Sequence, residues 1–449
     1  MREWLRESSV REAIGFAPGG DDREFSQVST DTRQLAPGAL FVALAGERFD
    51  GHDFLEAARA GGAVAAVVRR GTAPVADLAL LEVEDPLRAY GRIARARRRA
   101  LAGPVVAITG TNGKTSTKEM VAAALRTRYR THATRANLNN LVGVPQTILE
   151  APLDAEALVV EAGANLPGEI ARYREMIEPD LTIVTNAAAG HLEGFGSLAA
   201  VVAEKLSLTA GVRVALVGLE PPDLAAGARA RGASRVVTVG LAGADVAPEE
   251  LTLLPDGRSR VRVDGRTFVL PLLGAHQAGN ALFAWGVARE TGLDLDAVAR
   301  ALEAVTLPGG RGEILTAGGL TIINDCYNAN PASFRAAIDL ARRIRGDRPL
   351  VFVAGTMREL GAEAGRMHHE IAEALVALGP DLLAVVGDFV PALAPWADAL
   401  GDRLLCAADA PSLAEPLARR LTGSELVILK ASRGVALERI LPAITSRAA

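Results

Sequence analysis

Lysine is almost missing from this 449-residue chain: of its 49 basic residues only Lys114, Lys118, Lys205 and Lys430 are lysine. A background that writes arginine elsewhere keeps lysine where a guanidinium fails, on a phosphate or where an amine must lose its proton. These four are suspects. Cysteine is as scarce: Cys326 and Cys406 cannot build a disulfide framework in so long a chain, and neither sits in a CxxC pair, which points to a reducing compartment. No apolar stretch approaches the ~20 residues that span a bilayer, and the charged start MREWLRESSVREAIG lacks an apolar h-region. The expectation is a cytoplasmic protein without membrane insertion. Excess positive charge is absent too, since the net charge is -4, which excludes an electrostatic nucleic-acid binder. The one basic run, RIARARRRA at 92–100, reads as a solvated helix face beside a domain boundary.

What the chain does have is α/β alternation, and it falls into three domains: 1–83, 84–307 and 308–449. The first is a small α/β unit with ALFVAL and AVAAVV as strands and HDFLEAARAGG as a helix. A helical stretch from Asp85 to Leu101 leads into the second. There PVVAITG, ALVVEAG, LTIVTNA and VALVGL read as buried strands of a mostly parallel sheet covered on both faces. Between Leu251 and Leu270 two DG turns separate alternating residues, the pattern of antiparallel hairpins. A helix starting near Gly279 and another ending at Val305 follow. After LPGGRG a third alternation begins, with strands at LTIIND, PLVFVAG, LLAVVG and LVILKA.

The strand PVVAITG runs into TGTNGKTST, a strand-loop-helix order that suits a phosphate loop. Gly110 and Gly113 permit a turn whose N–H groups face an anion, with Thr111, Asn112 and Ser116 completing the stretch. Lys114 adds a point charge for the β and γ phosphates and Thr115 offers magnesium a hydroxyl. An ordinary glycine turn before a helix is the competing reading. Glu161 ends the strand ALVVE and His191 follows LTIVTN. In a parallel sheet the carboxyl ends of neighbouring strands meet beside such a loop, so both side chains can reach a nucleotide-bound metal. Lys205 lies fourteen residues beyond His191 on a helical segment. A neutral amine there can take up carbon dioxide and become a carbamate, an oxygen ligand for Mg2+. A salt-bridged lysine is the alternative.

TGTNGKTST, VVEAGANLPGEI, TNAAAGHLEGFGS followed by Lys205, GAHQAGNAL and KASRG, in this order, resemble the Mur ligase family of cell-wall synthesis over nearly the whole chain. The resemblance implies an N-terminal UDP-binding domain, a central phosphate-loop ATPase and a C-terminal Rossmann-like domain that binds the incoming amine. ANLNNLVGVP, DCYNANP and GTMRELGAEAGRMHHEIA resemble the member that adds D-alanyl-D-alanine to UDP-N-acetylmuramoyl-tripeptide through an acyl phosphate. ATP, Mg2+ (or Mn2+) and a carbamate on Lys205 are then the implied cofactors, and a monomer the implied state. By the same resemblance Lys114, His191 and Lys205 are catalytic, and Thr115, Glu161, His191 and Lys205 hold the metal. His276 and Asn280 would meet the adenine, although helix capping also accounts for them. Arg311 and Asp325 would close onto the nucleotide. Ser29, Thr32, Arg33, Asp50 and His52 would form the UDP pocket, and Asn139 and Asn140 would hold sugar or peptide. Tyr327, Asn328 and Asn330 would shape the dipeptide site, although NANP is also a common turn composition. The chain departs from the family pattern at Thr356, Ala431 and Asn324, and in reading PGGR for PGR.

Three other readings compete. A sister ligase would take a single amino acid, a phosphate-loop kinase would leave the STDTR segment and the Glu161, His191, Lys205 set without roles, and a non-catalytic nucleotide-binding module would not need metal ligands.

Overall fold

The computed structural model describes residues 3–17, 22–46, 49–188 and 192–446. Strands Val28–Ser29, Ala39–Val42, Ala63–Arg69 and Ala79–Val83 form a four-stranded parallel sheet in that order. The helix Pro86–Arg99 starts under the Asp85 cap, whose carboxylate accepts from Arg88 N–H at 3.0 Å. Its Ala89, Tyr90 and Ile93 pack into the core of this first sheet, and its Ala94 joins the core of the next. One helix therefore belongs to both units.

The basic run on this helix is not a solvated face. Arg97 is 2 % exposed and donates to the carbonyls of Ala151 (3.3 Å) and Pro152 (2.8 Å), while Arg98 donates to Ile177 O, Glu178 O and Asp180. Arg95 and Arg99 both hold the Glu178 carboxylate. The forked guanidinium can satisfy the orphan carbonyls that end the helix Glu169–Ile177, and that requirement overrides solvation.

The central sheet is wholly parallel. Its order from one edge is Arg235–Thr238, Val214–Val217, Leu181–Val184, Val105–Thr109, Ala157–Glu161, Thr131–Ala133. Every residue of Val105–Thr109 is buried, as a strand covered on both faces requires. Because later strands flank it on both sides, a switch point opens at its carboxyl end, where open α/β sheets bind ligands. The hairpins are present as the antiparallel sheet Glu250–Leu253, Arg258–Val263, Arg266–Leu273. The helix expected near Gly279 begins earlier, at Ala275, because Gly274 at φ 90 ends the preceding strand and leaves the helix without a side-chain cap. Capping is therefore not the role of His276 or Asn280.

The last sheet has six strands: Glu313–Ala317, Leu320–Asp325, Leu426–Lys430, Leu350–Ala354, Leu382–Val386 and Leu404–Ala407, all parallel except the first. Its register sets Lys430 beside both Asp325 and Ala354 at the carboxyl ends of their strands. That end faces the central switch point.

Candidate active site between two sheets

The phosphate loop is held by the strand next to it. Thr111 N–H donates to Asn186 O (3.0 Å), Asn112 N–H to Asn186 Oδ1 (3.0 Å), and Thr185 Oγ1 donates to Asn112 O (2.6 Å). A side chain at Gly110 (φ 150) would collide with Thr185 Oγ1, and one at Gly113 (φ 79) with Asn280 Oδ1, so only glycine lets these walls approach. Lys114 opens the helix Lys114–Leu125 and turns back, donating to Gly110 O (2.8 Å) and Thr111 O (3.2 Å). Burial pulls its amine below the usual lysine range.

Thr115 Oγ1 donates to Glu161 Oε2 at 2.8 Å, and Asn139 Nδ2 donates to Glu161 Oε1 at 2.8 Å. Across the cleft, Arg311 Nη2 donates to Thr115 Oγ1 (2.9 Å) and its guanidinium lies 3.4 Å over the Tyr327 ring. Its Nη1 is buried without an acceptor. An N–H stranded in a cleft of this kind invites a ligand oxygen. A second link joins Asn330 Nδ2 to Asn112 Oδ1 at 2.6 Å. Asn330 also caps the helix Pro331–Ile344 in a capping box with Ser333, so it has a structural role beside the link to Asn112.

Lys430 is 2 % exposed and donates to Asp325 Oδ2 (2.6 Å) and to Asn328 O (2.7 Å), which fixes the carboxylate against the loop carrying Tyr327. Asn324 donates to Glu313 Oε2 (2.9 Å), and Glu313 also accepts from Gly310 N–H (3.2 Å). An acid at 324 would repel Glu313 and free the turn that carries Arg311. His276 is exposed on the cavity wall, while Asn280 accepts from Thr117 Oγ1 (3.3 Å) and donates to Gln277 Oε1 (3.0 Å).

These groups line one cavity of about 490 Å³. It takes in Thr111–Ser116, Asn139, Asn140, Glu161, His276, Asn280, Arg311, Asp325, Tyr327 and Asn328. Lys205 lies off this lining, 1 % exposed, with Nζ 5.9 Å from the Phe195 ring centroid. Burial first, then the charge of Lys114, brings its amine down to about 7. Its neighbour Glu204 accepts from Gly168 N–H (2.8 Å) and Ile170 N–H (2.7 Å), tying the helix Leu198–Leu206 to the wall that follows Glu161. His191 lies outside the described residues. Among those described, no group of three or more His, Cys, Asp or Glu gathers as a metal site. The Thr115 hydroxyl and Glu161 carboxylate are nonetheless a hard-oxygen pair that fits magnesium, which takes few protein ligands and completes its shell with phosphate and water.

The residues expected to form a UDP pocket lie away from this cavity, in the N-terminal sheet region. Ser29 Oγ accepts from Asp31 N–H (3.1 Å), Thr32 opens the turn after it, and Arg33 pairs with the Asp31 carboxylate. His52 Nε2 accepts from Arg69 N–H (2.9 Å), so its proton sits on Nδ1 and is donated to Asp50 Oδ1 (2.5 Å). The His52 backbone N–H, then its ring, hold the Asp50 carboxyl at about 2. Sequence reasoning missed Gln277, Glu169, Tyr173 and Glu220 in the cavity wall. Of these, Glu169 and Gln277 had a signal, inside EAGANLPGEI and GAHQAGNAL.

A phosphate loop at a switch point, met by an arginine and a lysine-held carboxylate from another sheet, defines a nucleotide-dependent enzyme whose site two domains assemble. Three family models match the chain: "Mur ligase family, catalytic domain" over 24–98, "Mur ligase middle domain" over 108–288, and "Mur ligase, glutamate ligase domain" over 310–433. The chain belongs to the Mur ligase family. It is 36% identical over 437 residues to the UDP-N-acetylmuramoyl-tripeptide--D-alanyl-D-alanine ligase of Escherichia coli K12, covering 95% of each chain. A crystal structure of MurF from Acinetobacter baumannii superposes with a TM-score of 0.86 at 30% identity, covering 97% of this chain and 98% of that one. MurF from Thermotoga maritima in complex with ADP gives 0.82 at 27% identity over 94% and 97%.

Proposed function

We propose that this chain uses ATP to join D-alanyl-D-alanine to the terminal carboxylate of UDP-N-acetylmuramoyl-tripeptide, forming an amide in peptidoglycan precursor synthesis. The observation that carries this is the cavity at the phosphate loop, across which Arg311 and Asn330 bond to Thr115 and Asn112, in a chain that a relative of that name matches over 95% of its length. The division 1–83, 84–307 and 308–449 assigns the UDP moiety, ATP and the dipeptide to successive domains. No helix among the described residues is long and apolar enough to cross a membrane, and the cytoplasm is the compartment we assign to the enzyme. One chain supplies both walls of the cavity, and we take the enzyme to act as a monomer.

Phosphate binding would draw Lys114 off its own loop carbonyls onto the γ-phosphate. Mg2+, or Mn2+ in its place, supplies positive charge at the β and γ phosphates when bound, and Thr115, Glu161, His191 and a carbamylated Lys205 are the residues to hold it. Arg311 would exchange Thr115 for a phosphate oxygen, and Asp325, fixed by Lys430, would meet the ribose. His276 and Asn280 would face the adenine. Closure of the third domain keeps water from the acyl phosphate, so catalysis rests on positioning and charge rather than on a protein nucleophile. An oxygen-18 label on the tripeptide's terminal carboxylate tests this route. The label is expected in the released phosphate; phosphate labelled only from solvent water would sink it.

A further inference from the structure

The cavity does not end at the phosphate loop. On one side its wall is apolar, with Leu273, Ala336 and Leu340 beside His276, the side given above to the adenine. On the other it continues from Glu161 through Gly163, Ala164 and Asn165 to Glu169 and Tyr173. The tripeptide's carboxylate has to meet the γ-phosphate beyond Lys114 and Glu161. This second stretch of wall is therefore what the residue bearing that carboxylate lies against.

Glu169 and Tyr173 stand four residues apart on the helix Glu169–Ile177, so their side chains share one face. Glu169 is half-buried, and its Oε2 accepts from the N–H groups of Asn165 (2.8 Å) and Leu166 (3.0 Å), which locks the carboxylate in place. Tyr173 is fully buried, yet its hydroxyl has no hydrogen-bond partner. A buried phenol normally finds one. The start of the helix asks for nothing more, since Glu204 already takes the N–H groups of Gly168 and Ile170. What the hydroxyl lacks has to come from the cavity it lines.

The charge along this wall has one sign. Glu169 and the exposed Glu220 line it with Asn165, while the cations of the lining, Lys114, Arg311 and Lys430, stand on the phosphate loop and the third domain, and Lys205 lies off it. A locked carboxylate beside an unpartnered hydroxyl repels an anion and suits a positive group with several N–H donors. An ammonium is such a group.

We propose that Glu169 and Tyr173 select the tripeptide's terminal residue by receiving an ammonium at the end of its side chain, which rests on the ligase reading above. Glu169 offsets the charge and accepts one N–H, and Tyr173 Oη accepts another. Holding the side chain at its far end fixes the carboxylate at its base, so the pair decides which tripeptide is taken rather than how the phosphoryl group moves.

Two substrates isolate the ammonium: UDP-MurNAc-tripeptide ending in L-lysine, and the same compound ending in L-norleucine, which keeps the carbon chain and lacks the amine. With ATP and D-alanyl-D-alanine, the wild type should prefer the lysine form about 10- to 100-fold in kcat/KM, the worth of one hydrogen bond to a charged group. Tyr173→Phe and Glu169→Gln should each lower that preference about 10-fold or more, because the norleucine form has no such contact to lose. Glutamine keeps an oxygen for the Asn165 and Leu166 N–H groups and gives up only the charge. The phenylalanine variant gives up a hydroxyl that bonds to nothing in the folded chain, so its melting temperature should not fall. A wild type indifferent to the amine, or variants that lose equally on both tripeptides, would overturn the proposal and leave the ligase reading standing. A wild type that ligates neither tripeptide would remove the ligase reading, and this role with it.

Discussion

Lys114→Ala should release phosphate about 100- to 1,000-fold more slowly than the wild type, the range measured when one preorganised oxyanion donor is removed. The loop itself should survive the change. Its turn is set by Gly110 and Gly113 and by the bonds from Thr185 and Asn186, none of which involves the lysine side chain. What disappears is the one mobile charge, now resting on Gly110 O and Thr111 O, that can move to the transferring group. Lys114→Arg should not restore activity, since a planar fork replaces a point charge in a niche shaped for an amine. Circular dichroism checks the fold and a coupled phosphate assay the chemistry. Turnover close to wild type would remove this loop from ATP cleavage.

Lys205 should be as critical for a different reason. Its buried amine sits at about 7 instead of 10.5. The unfolded chain therefore binds the extra proton between those values, and stability should rise with pH across that window. The same shift makes a neutral amine available from about pH 7 upward, ready to add carbon dioxide and become a carbamate. Lys205→Ala and Lys205→Arg should both lose more than the roughly 100-fold typical of a missing outer-shell metal partner, because neither supplies a ligand oxygen. Acetate or propionate should partly rescue the alanine variant. Stripping carbon dioxide from a mildly acidic buffer should inactivate the wild type, and bicarbonate should restore it. An active arginine variant would show that charge alone suffices.

The scarcity of lysine was an informative signal with a specific error. Lys114, Lys205 and Lys430 all lie at or near the cleft, but Lys118 donates to Thr134 O (2.7 Å) and to Glu119, fastening the phosphate-loop helix to the strand beside it. Lysine was kept there for burial. Buried strands such as Val105–Thr109 and Leu426–Lys430 were readable as apolar runs, whereas Glu313–Ala317, half exposed at a sheet edge, carried no alternation to find. Contacts between distant residues left no trace in the order of amino acids. The Asn112–Asn330 pair spans 218 positions. The basic helix misled because pattern reading counts charges but does not see the carbonyls that Arg97 and Arg98 satisfy.

The most direct check is ATP-dependent phosphate release with UDP-MurNAc-tripeptide, comparing D-alanyl-D-alanine, D-alanine and L-amino acids as acceptors. Release should require the nucleotide substrate and respond to the dipeptide alone, with one amide formed per phosphate. Equal or faster release with a single amino acid, or a stable phosphorylated product without any amide, would contradict a dipeptide ligase.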